Sequence, residues 1–143
     1  VVLFFVHHYA RSMLSKSLTC IALLICSNVF MNLAWYGHLK WFKDHKSGAG
    51  VLTFSALALP ILVSWLLALP EYCLQVPANR IGHQNFGGPF TAPQLKIIQE
   101  AVTLVVFTLI AFFVLHEKPR WTDGVAMLMV LGAVAVSVLG RRS

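Results

Sequence analysis

The sequence predicts an all-α protein, an integral membrane bundle of four transmembrane helices. Of its 143 residues, 58% are hydrophobic and only 11% are charged, and the mean hydropathy is +0.75. A soluble domain carries about 25% charged residues, so this chain has too few charges to cover a globular surface. The hydrophobic residues also form four long runs, and a helix needs about 20 apolar residues to cross the hydrocarbon core of a bilayer. Four such helices leave no room for an additional soluble domain.

The distribution of charge identifies the lipid bilayer, and not nucleic acid, as the partner of this chain. Eleven Lys and Arg residues against five Asp and Glu give a formal net charge of +6. The basic residues form short clusters between the apolar runs, as in loops that flank membrane spans. The runs do not alternate in polarity as barrel strands do, so they are predicted to be helical.

Residues 1–12 are predicted to be a mis-annotated N-terminal extension, and residues 13–143 a single transmembrane domain. The chain begins with Val1, and Met13 is an alternative start because the strong pattern begins just after it. The apolar segment at the very start is far too short to span a membrane.

The first span is predicted over about residues 18–39, with basic residues on both sides. Trp35, Tyr36 and Trp41 form an aromatic end that is typical of a membrane–water interface. An alternative role for Trp35 and Tyr36 is to form an aromatic wall for a substrate.

The second span is predicted over residues 51–69, or as far as residue 76. Pro60 predicts a kink inside it, and Pro70 and Pro77 mark its far end. The polar stretch that follows, rich in Gly and Asn, is predicted to be a loop over residues 78–89.

The third and fourth spans are predicted over residues 93–115 and 121–139. Thr91 is a suitable N-cap and Pro93 suits a first helical turn. A short charged turn separates the two spans, and Gly140 ends the last one.

The positive-inside rule does not decide the orientation. Four spans place both termini and the middle loop on one side, with six basic residues against five on the other. Either another factor sets the orientation, or the chain inserts in both orientations and pairs as an antiparallel dimer.

Two carboxylates, Glu71 and Glu100, approach the membrane interior and flank the long loop. Ionisable residues are costly there, so both are candidate proton- or substrate-binding groups. The alternative is structural, since Glu100 is placed to pair with Lys96 one turn earlier. The predicted cluster at this mouth of the bundle comprises Glu71, Gln75, Arg80, Lys96, Gln99 and Glu100.

Further polar and small residues lie inside the predicted spans. Asn28 and Asn32 are four residues apart, and either pack against another helix or line a substrate path. Gly124, Gly132 and Gly140 recur every eight residues, near one face of the last helix, and predict a helix–helix seam within one chain or between two.

No catalytic or metal-binding motif is present in the sequence. Its three cysteines, in apolar runs, are predicted to be packing residues, and no P-loop, nucleophile elbow or metal-binding helix occurs. We therefore expect neither an enzyme, nor a metal site, nor a cofactor.

Three segments carry a resemblance to a known family. SNVFMNLAWYGHLK at 27–40, EYCLQVPANRIG at 71–82 and QLKIIQE at 94–100 resemble a bacterial domain-of-unknown-function family of the drug/metabolite transporter (DMT) superfamily. The resemblance covers about residues 13–141, and the Gly-rich last helix is similar to a wider superfamily pattern.

The resemblance implies a multi-pass protein of the bacterial inner (plasma) membrane, similar in architecture to small multidrug resistance transporters. Together with the residues, it suggests a small secondary transporter or exporter of an unknown small molecule, working as a homodimer because four short helices alone enclose little cavity. In this hypothesis Glu71 and Glu100 bind a proton or cation, and Asn28 and Asn32 line the path. This chain departs from the small multidrug transporters because residues 18–39 contain no carboxylate. The alternative is a non-transporting membrane accessory or assembly protein.

Overall fold

Four helices and no β-sheet make up the part of the chain that is described. The computed structural model describes residues 2–42, 53–118 and 120–140. The all-α prediction is confirmed over these ranges. The helices are α1 (Val2–Trp41), α2 (Phe54–Gly82), α3 (Ala92–Ile110), which continues as a π-helical segment (Ala111–Leu115), and α4 (Trp121–Leu139).

Three of these helices are long and apolar enough to cross a membrane. The qualifying segments are His7–Trp41, Ala56–Gly82 and Ala92–Leu115, and the fourth helix contributes a shorter apolar segment, Trp121–Ser137. The chain is therefore a multi-pass membrane protein, and the apolar segment of α4 is shorter than the three that qualify as spans.

Helix α1 begins well before the predicted start of the first span near residue 18. Its 40 residues extend over roughly 60 Å at 1.5 Å per residue, about twice the thickness of the hydrocarbon core. Residues 2–17 contain neither Pro nor Gly, so nothing in this segment interrupts the helix. Its described first turns, residues 7–11, are exposed.

Helix α2 continues through Pro70 and Pro77 to Gly82, so the expectation that these prolines end the span is wrong. Residues 78–82, predicted to belong to a loop, are helical. Proline is tolerated in membrane helices because neighbouring helices compensate for the lost backbone hydrogen bond. Here the buried face of α2 runs past both prolines, at Glu71, Gln75, Ala78 and Gly82.

Helix α1 packs against both α2 and α3, and α4 packs against α3. The buried apolar cluster consists of Cys20, Leu24, Ala78, Leu95 and Ile98. Gly82 permits this close approach: a Cβ atom there would lie 2.6 Å from the Cys20 sulfur and 2.7 Å from Leu95 Cδ2.

The connection between α2 and α3 is compact. A 3₁₀ turn, Gln84–Phe86, is followed by Gly87 in the left-handed conformation (φ 74°). Gly88 lies against the backbone of Gly82, where a Cβ atom would collide with it. Thr91 caps α3 in a capping box with Gln94, so the predicted N-cap is confirmed.

Several predicted features lie outside the described residues. They are the first two residues of the predicted second span, at 51 and 52, and four of the basic residues counted for the orientation, at 43, 46, 141 and 142.

Candidate functional site

A buried polar contact between α1 and α2 contains the first of the predicted carboxylates. Glu71 is 4% exposed and Gln75, one turn later, is 8% exposed. The fully buried Ser27 of α1 donates its hydroxyl proton to Gln75 Oε1 at 2.9 Å. The same hydroxyl lies 3.4 Å from Glu71 Oε1 and 3.3 Å from the Glu71 carbonyl oxygen. One proton can serve only one of these acceptors at a time.

No opposite charge accompanies this carboxylate among the described residues. The ion pair that the described residues form is Lys96–Glu100, on the surface of α3. Burying a carboxylate without a partner costs several kcal/mol, and the low dielectric of a membrane interior increases that cost. Glu71 is therefore placed where binding a proton or a cation would remove an unfavourable charge.

Glu71 and Gln75 border a small cleft between α1, α2 and α3. The cleft has a volume of about 240 Å³, and Gln99 of α3 lies on its opposite side. Trp35 and Tyr72 also line it, so the structure brings an aromatic side chain of the first span to the predicted polar residues. Tyr36 lies elsewhere and packs on Phe107, with 4.7 Å between ring centroids.

Gln99 connects this cleft to a larger cavity nearer the end of the bundle. That cavity, of about 470 Å³, is lined by Arg80, Lys96 and Gln99 among others. Five of the six residues in the predicted cluster thus line these two spaces, with Gln99 in the wall of both, and the sixth, Glu100, lines neither.

Glu100 does not join Glu71 in the cleft. Its side chain is 52% exposed and pairs with Lys96 one turn earlier, in the i,i+4 arrangement that the sequence offered as the structural alternative. An exposed pair of this kind contributes about 0–1 kcal/mol.

Asn28 and Asn32 are both fully buried and face the inside of the bundle. The Asn28 amide donates to the Leu24 carbonyl oxygen at 2.8 Å and accepts from the Thr103 hydroxyl of α3. The Asn32 amide donates to the Asn28 carbonyl oxygen at 2.8 Å. Neither residue is among those that line the cleft.

Asn32 differs from Asn28 in one respect. Its Oδ1 atom is buried and accepts no hydrogen bond from any described residue. Leaving a buried acceptor unsatisfied costs about 1–3 kcal/mol. Such an atom needs an explanation beyond helix packing.

The glycines of the last helix and its C-cap have no side chain of another helix packed against them among the described residues. A Cβ atom added at Gly124, Gly132 or Gly140 would meet no atom within 4 Å. The α3-facing side of α4 is elsewhere, at the half-buried Met127, Val130, Val134 and Ser137. No close helix–helix approach therefore occurs at these glycines among the described residues, and a seam between two chains stays a prediction.

The sequence pattern did not single out Ser27 and Thr103 as members of the buried polar contacts. Both are small hydroxyl residues in apolar runs, where they are easily interpreted as neutral packing positions. The available signals were the position of Ser27 beside Asn28 and the i,i+4 spacing of Gln99 and Thr103.

Comparison with protein families gives one match. The chain matches the DMT_6 family, described as "Putative member of DMT superfamily (DUF486)", over residues 20–138. The chain belongs to this family. The matched range contains the polar contact, the cleft and most of the four helices, and the predicted DMT resemblance is confirmed. Searches of curated proteins and of solved structures gave no match.

The printed description thus relates the family to a superfamily of transporters, and the three long apolar helices are those of a multi-pass membrane protein. Among the described residues no group of His, Cys, Asp and Glu side chains could hold a metal ion.

Proposed function

We propose that this protein is a small secondary transporter or exporter of the bacterial inner (plasma) membrane, and that Glu71 binds the coupling proton or cation. The observation that carries the proposal is a buried carboxylate on a membrane-spanning helix that borders a cleft and has no charged partner among the described residues. A purely structural contact would be made at lower cost by an uncharged side chain. A coupled transporter needs a group whose charge changes during the cycle.

The surrounding residues support this role. Ser27 and Gln75 supply neutral hydrogen-bonding groups that accommodate the carboxyl group in either protonation state. Gln99 lines both the cleft and the outer cavity, and so lies on a route from the bundle end to Glu71. We assign the small-molecule substrate to the cleft beside Glu71, without specifying its identity.

The proposal includes a homodimer. A cleft of about 240 Å³ is small for a substrate, whereas ligand pockets commonly measure about 300–1,000 Å³. A second copy placed against Gly124 and Gly132 of α4 would join the two chains through their last helices. Small residues allow the close helix approach that this needs.

The test is a comparison of whole cells that express the wild type, Glu71→Gln, Glu100→Gln or an empty vector. Untargeted intracellular and extracellular metabolite levels are measured, and membrane insertion is confirmed for each protein. We expect the wild type and Glu100→Gln to redistribute the same compound and Glu71→Gln not to do so. Glu100→Gln is the matched control because its carboxylate is exposed and ion-paired.

Equal redistribution by Glu71→Gln and the wild type would overturn the assignment of Glu71. The rival function is a non-transporting accessory or assembly protein, which the uncovered glycine face of α4 favours. It predicts that inserted wild-type protein changes no metabolite relative to the empty vector.

A further inference from the structure

Basic side chains from two helices and a connecting segment surround the α2–α3 connection. Lys16 comes from α1, Arg80 from the last turns of α2, and His83 follows α2 directly. They line two adjoining cavities of about 470 and 430 Å³, and both cavities include Arg80 and Phe86 in their walls.

The positive charge in these cavities is not compensated locally. Neither cavity has an Asp or Glu among its lining residues. Lys96, which also lines the larger cavity, is paired with Glu100. Lys16 and Arg80 form no ion pair with a described residue, so two formal positive charges face the shared space.

Each of these basic side chains makes a contact that fixes its position and retains N–H groups that can donate hydrogen bonds to a ligand. The Arg80 guanidinium lies over the Phe86 ring, 5.1 Å from its centroid, and stacking of this kind leaves the in-plane N–H groups available. Lys16 donates one hydrogen bond to the Gly87 carbonyl oxygen at 2.7 Å, which leaves two donors. The His83 Nδ1 atom accepts from Asn85 N–H at 3.1 Å, so its proton lies on Nε2, a further donor.

The rest of the larger cavity is apolar. Val76 of α2 and Ala92 and Leu95 of α3 line it beside the basic residues. Lys16 precedes the predicted first span, so the basic side chains lie near the membrane–water interface. A site with cationic donors at one end and an aliphatic wall behind them matches an amphiphile with an anionic headgroup.

We propose that these cavities bind an anionic phospholipid, with the headgroup phosphate held by Lys16, Arg80 and His83. One acyl chain lies along the aliphatic wall. The chemistry that is recognised is a phosphate group, which inorganic phosphate also carries. The apolar wall is what favours the lipid over the free anion.

The experiment uses the purified full-length chain in detergent and native mass spectrometry. Three probes are compared: phosphatidylglycerol, phosphatidylcholine with the same acyl chains, and inorganic phosphate. The variants are Lys16→Gln/Arg80→Gln and, as a matched control, Lys40→Gln, which removes an exposed lysine near the other end of α1. Circular dichroism verifies the helix content of each protein.

We expect the wild type to bind phosphatidylglycerol at least roughly tenfold more tightly than phosphatidylcholine. The double variant loses this preference and Lys40→Gln retains it. Equal binding of the two lipids by the wild type would overturn the proposal without any variant. Phosphatidylglycerol binding that is unchanged in the folded double variant would also overturn it. Saturable binding of inorganic phosphate that displaces the lipid would identify a free anion as the ligand and refute the lipid assignment.

Discussion

At the scale of single residues, the two buried asparagines of α1 provide an internal comparison. They have the same side chain, the same helix and the same complete burial. The Asn28 amide both donates and accepts a hydrogen bond, whereas the Asn32 amide oxygen accepts no hydrogen bond from a described residue. Substitution by Leu, which has a similar shape, therefore separates packing from a role in the transport path.

We expect Asn28→Leu to lower the free energy of unfolding by about 0.5–1.5 kcal/mol, because it removes the hydrogen bond between α1 and α3. The Thr103 hydroxyl then keeps only the Gln99 carbonyl oxygen of its own helix as acceptor. Asn32→Leu removes an unsatisfied atom and no bond to another helix, and is expected to lower that free energy by less than about 0.5 kcal/mol. Unfolding by sodium dodecyl sulfate in mixed micelles measures both. Equal destabilisation by the two variants would show that Asn32 is as fully bonded as Asn28.

A second residue-scale prediction concerns Ser27, the hydroxyl that links α1 to the carboxylate. Ser27→Ala removes the donor of Gln75 and Glu71, and we expect it to cost about 1–3 kcal/mol. Ser17→Ala serves as the control, because the Ser17 hydroxyl bonds only within its own helix, to the Met13 carbonyl oxygen at 2.9 Å. The same detergent unfolding series compares the two, and equal losses would contradict the buried interhelical contact.

At the scale of elements, the α2–α3 connection depends on a close backbone approach at Gly88. A Cβ atom there collides with the backbone of Gly82 and the Ile81 carbonyl oxygen, and backbone cannot move aside as a flexible side chain can. We expect Gly88→Ala to lower the free energy of unfolding by about 1–3 kcal/mol. Ala22→Val, which adds bulk at an exposed position of α1, is expected to change it by no more than about 0.5 kcal/mol. A Gly88→Ala protein as stable as the wild type would contradict this packing.

Much of this architecture was predictable from the sequence because hydrophobic length is a strong signal in membrane proteins. The third and fourth helices match their predicted ranges, and Thr91 is the predicted cap. The extent of α2 was not predictable from its prolines, since its buried face from Glu71 to Gly82 overrides their local preference. Contacts between helices were likewise not predictable, because the residues that form them are far apart in the sequence. Ser27 and Glu71 are separated by 44 residues, and no local pattern relates them.

The sequence therefore predicted which polar residues are candidates for the site, but not which of them lie together. Glu71 and Gln75 were found because polar residues in apolar runs are conspicuous. The different surroundings of Glu100 depend on which side of α3 faces α1, and a helix with few polar residues gives little indication of this.

At the scale of the whole molecule, the homodimer that we propose should depend on α4. Gly132 lies on the side of α4 away from α3 and has open space around it. We expect Gly132→Leu to convert the dimer into a monomer, because a bulky side chain separates two closely packed helices. Ala22→Leu adds the same bulk at an exposed position of α1 and is expected to leave the dimer intact. Chemical crosslinking and light scattering in detergent measure the outcome, and a dimer that persists in Gly132→Leu would exclude this interface.

The central claim is that Glu71 takes up and releases a proton inside the membrane domain. Infrared spectroscopy of the protein reconstituted in lipid, recorded across a range of pH, detects the carboxyl stretch of a protonated side chain directly. Each of the five Asp and Glu side chains contributes such a band when protonated, so the spectra of the variants are compared with that of the wild type. We predict that one pH-dependent carboxyl band of the wild type is missing from Glu71→Gln and retained in Glu100→Gln. A Glu71→Gln protein that keeps every pH-dependent carboxyl band of the wild type would contradict the claim.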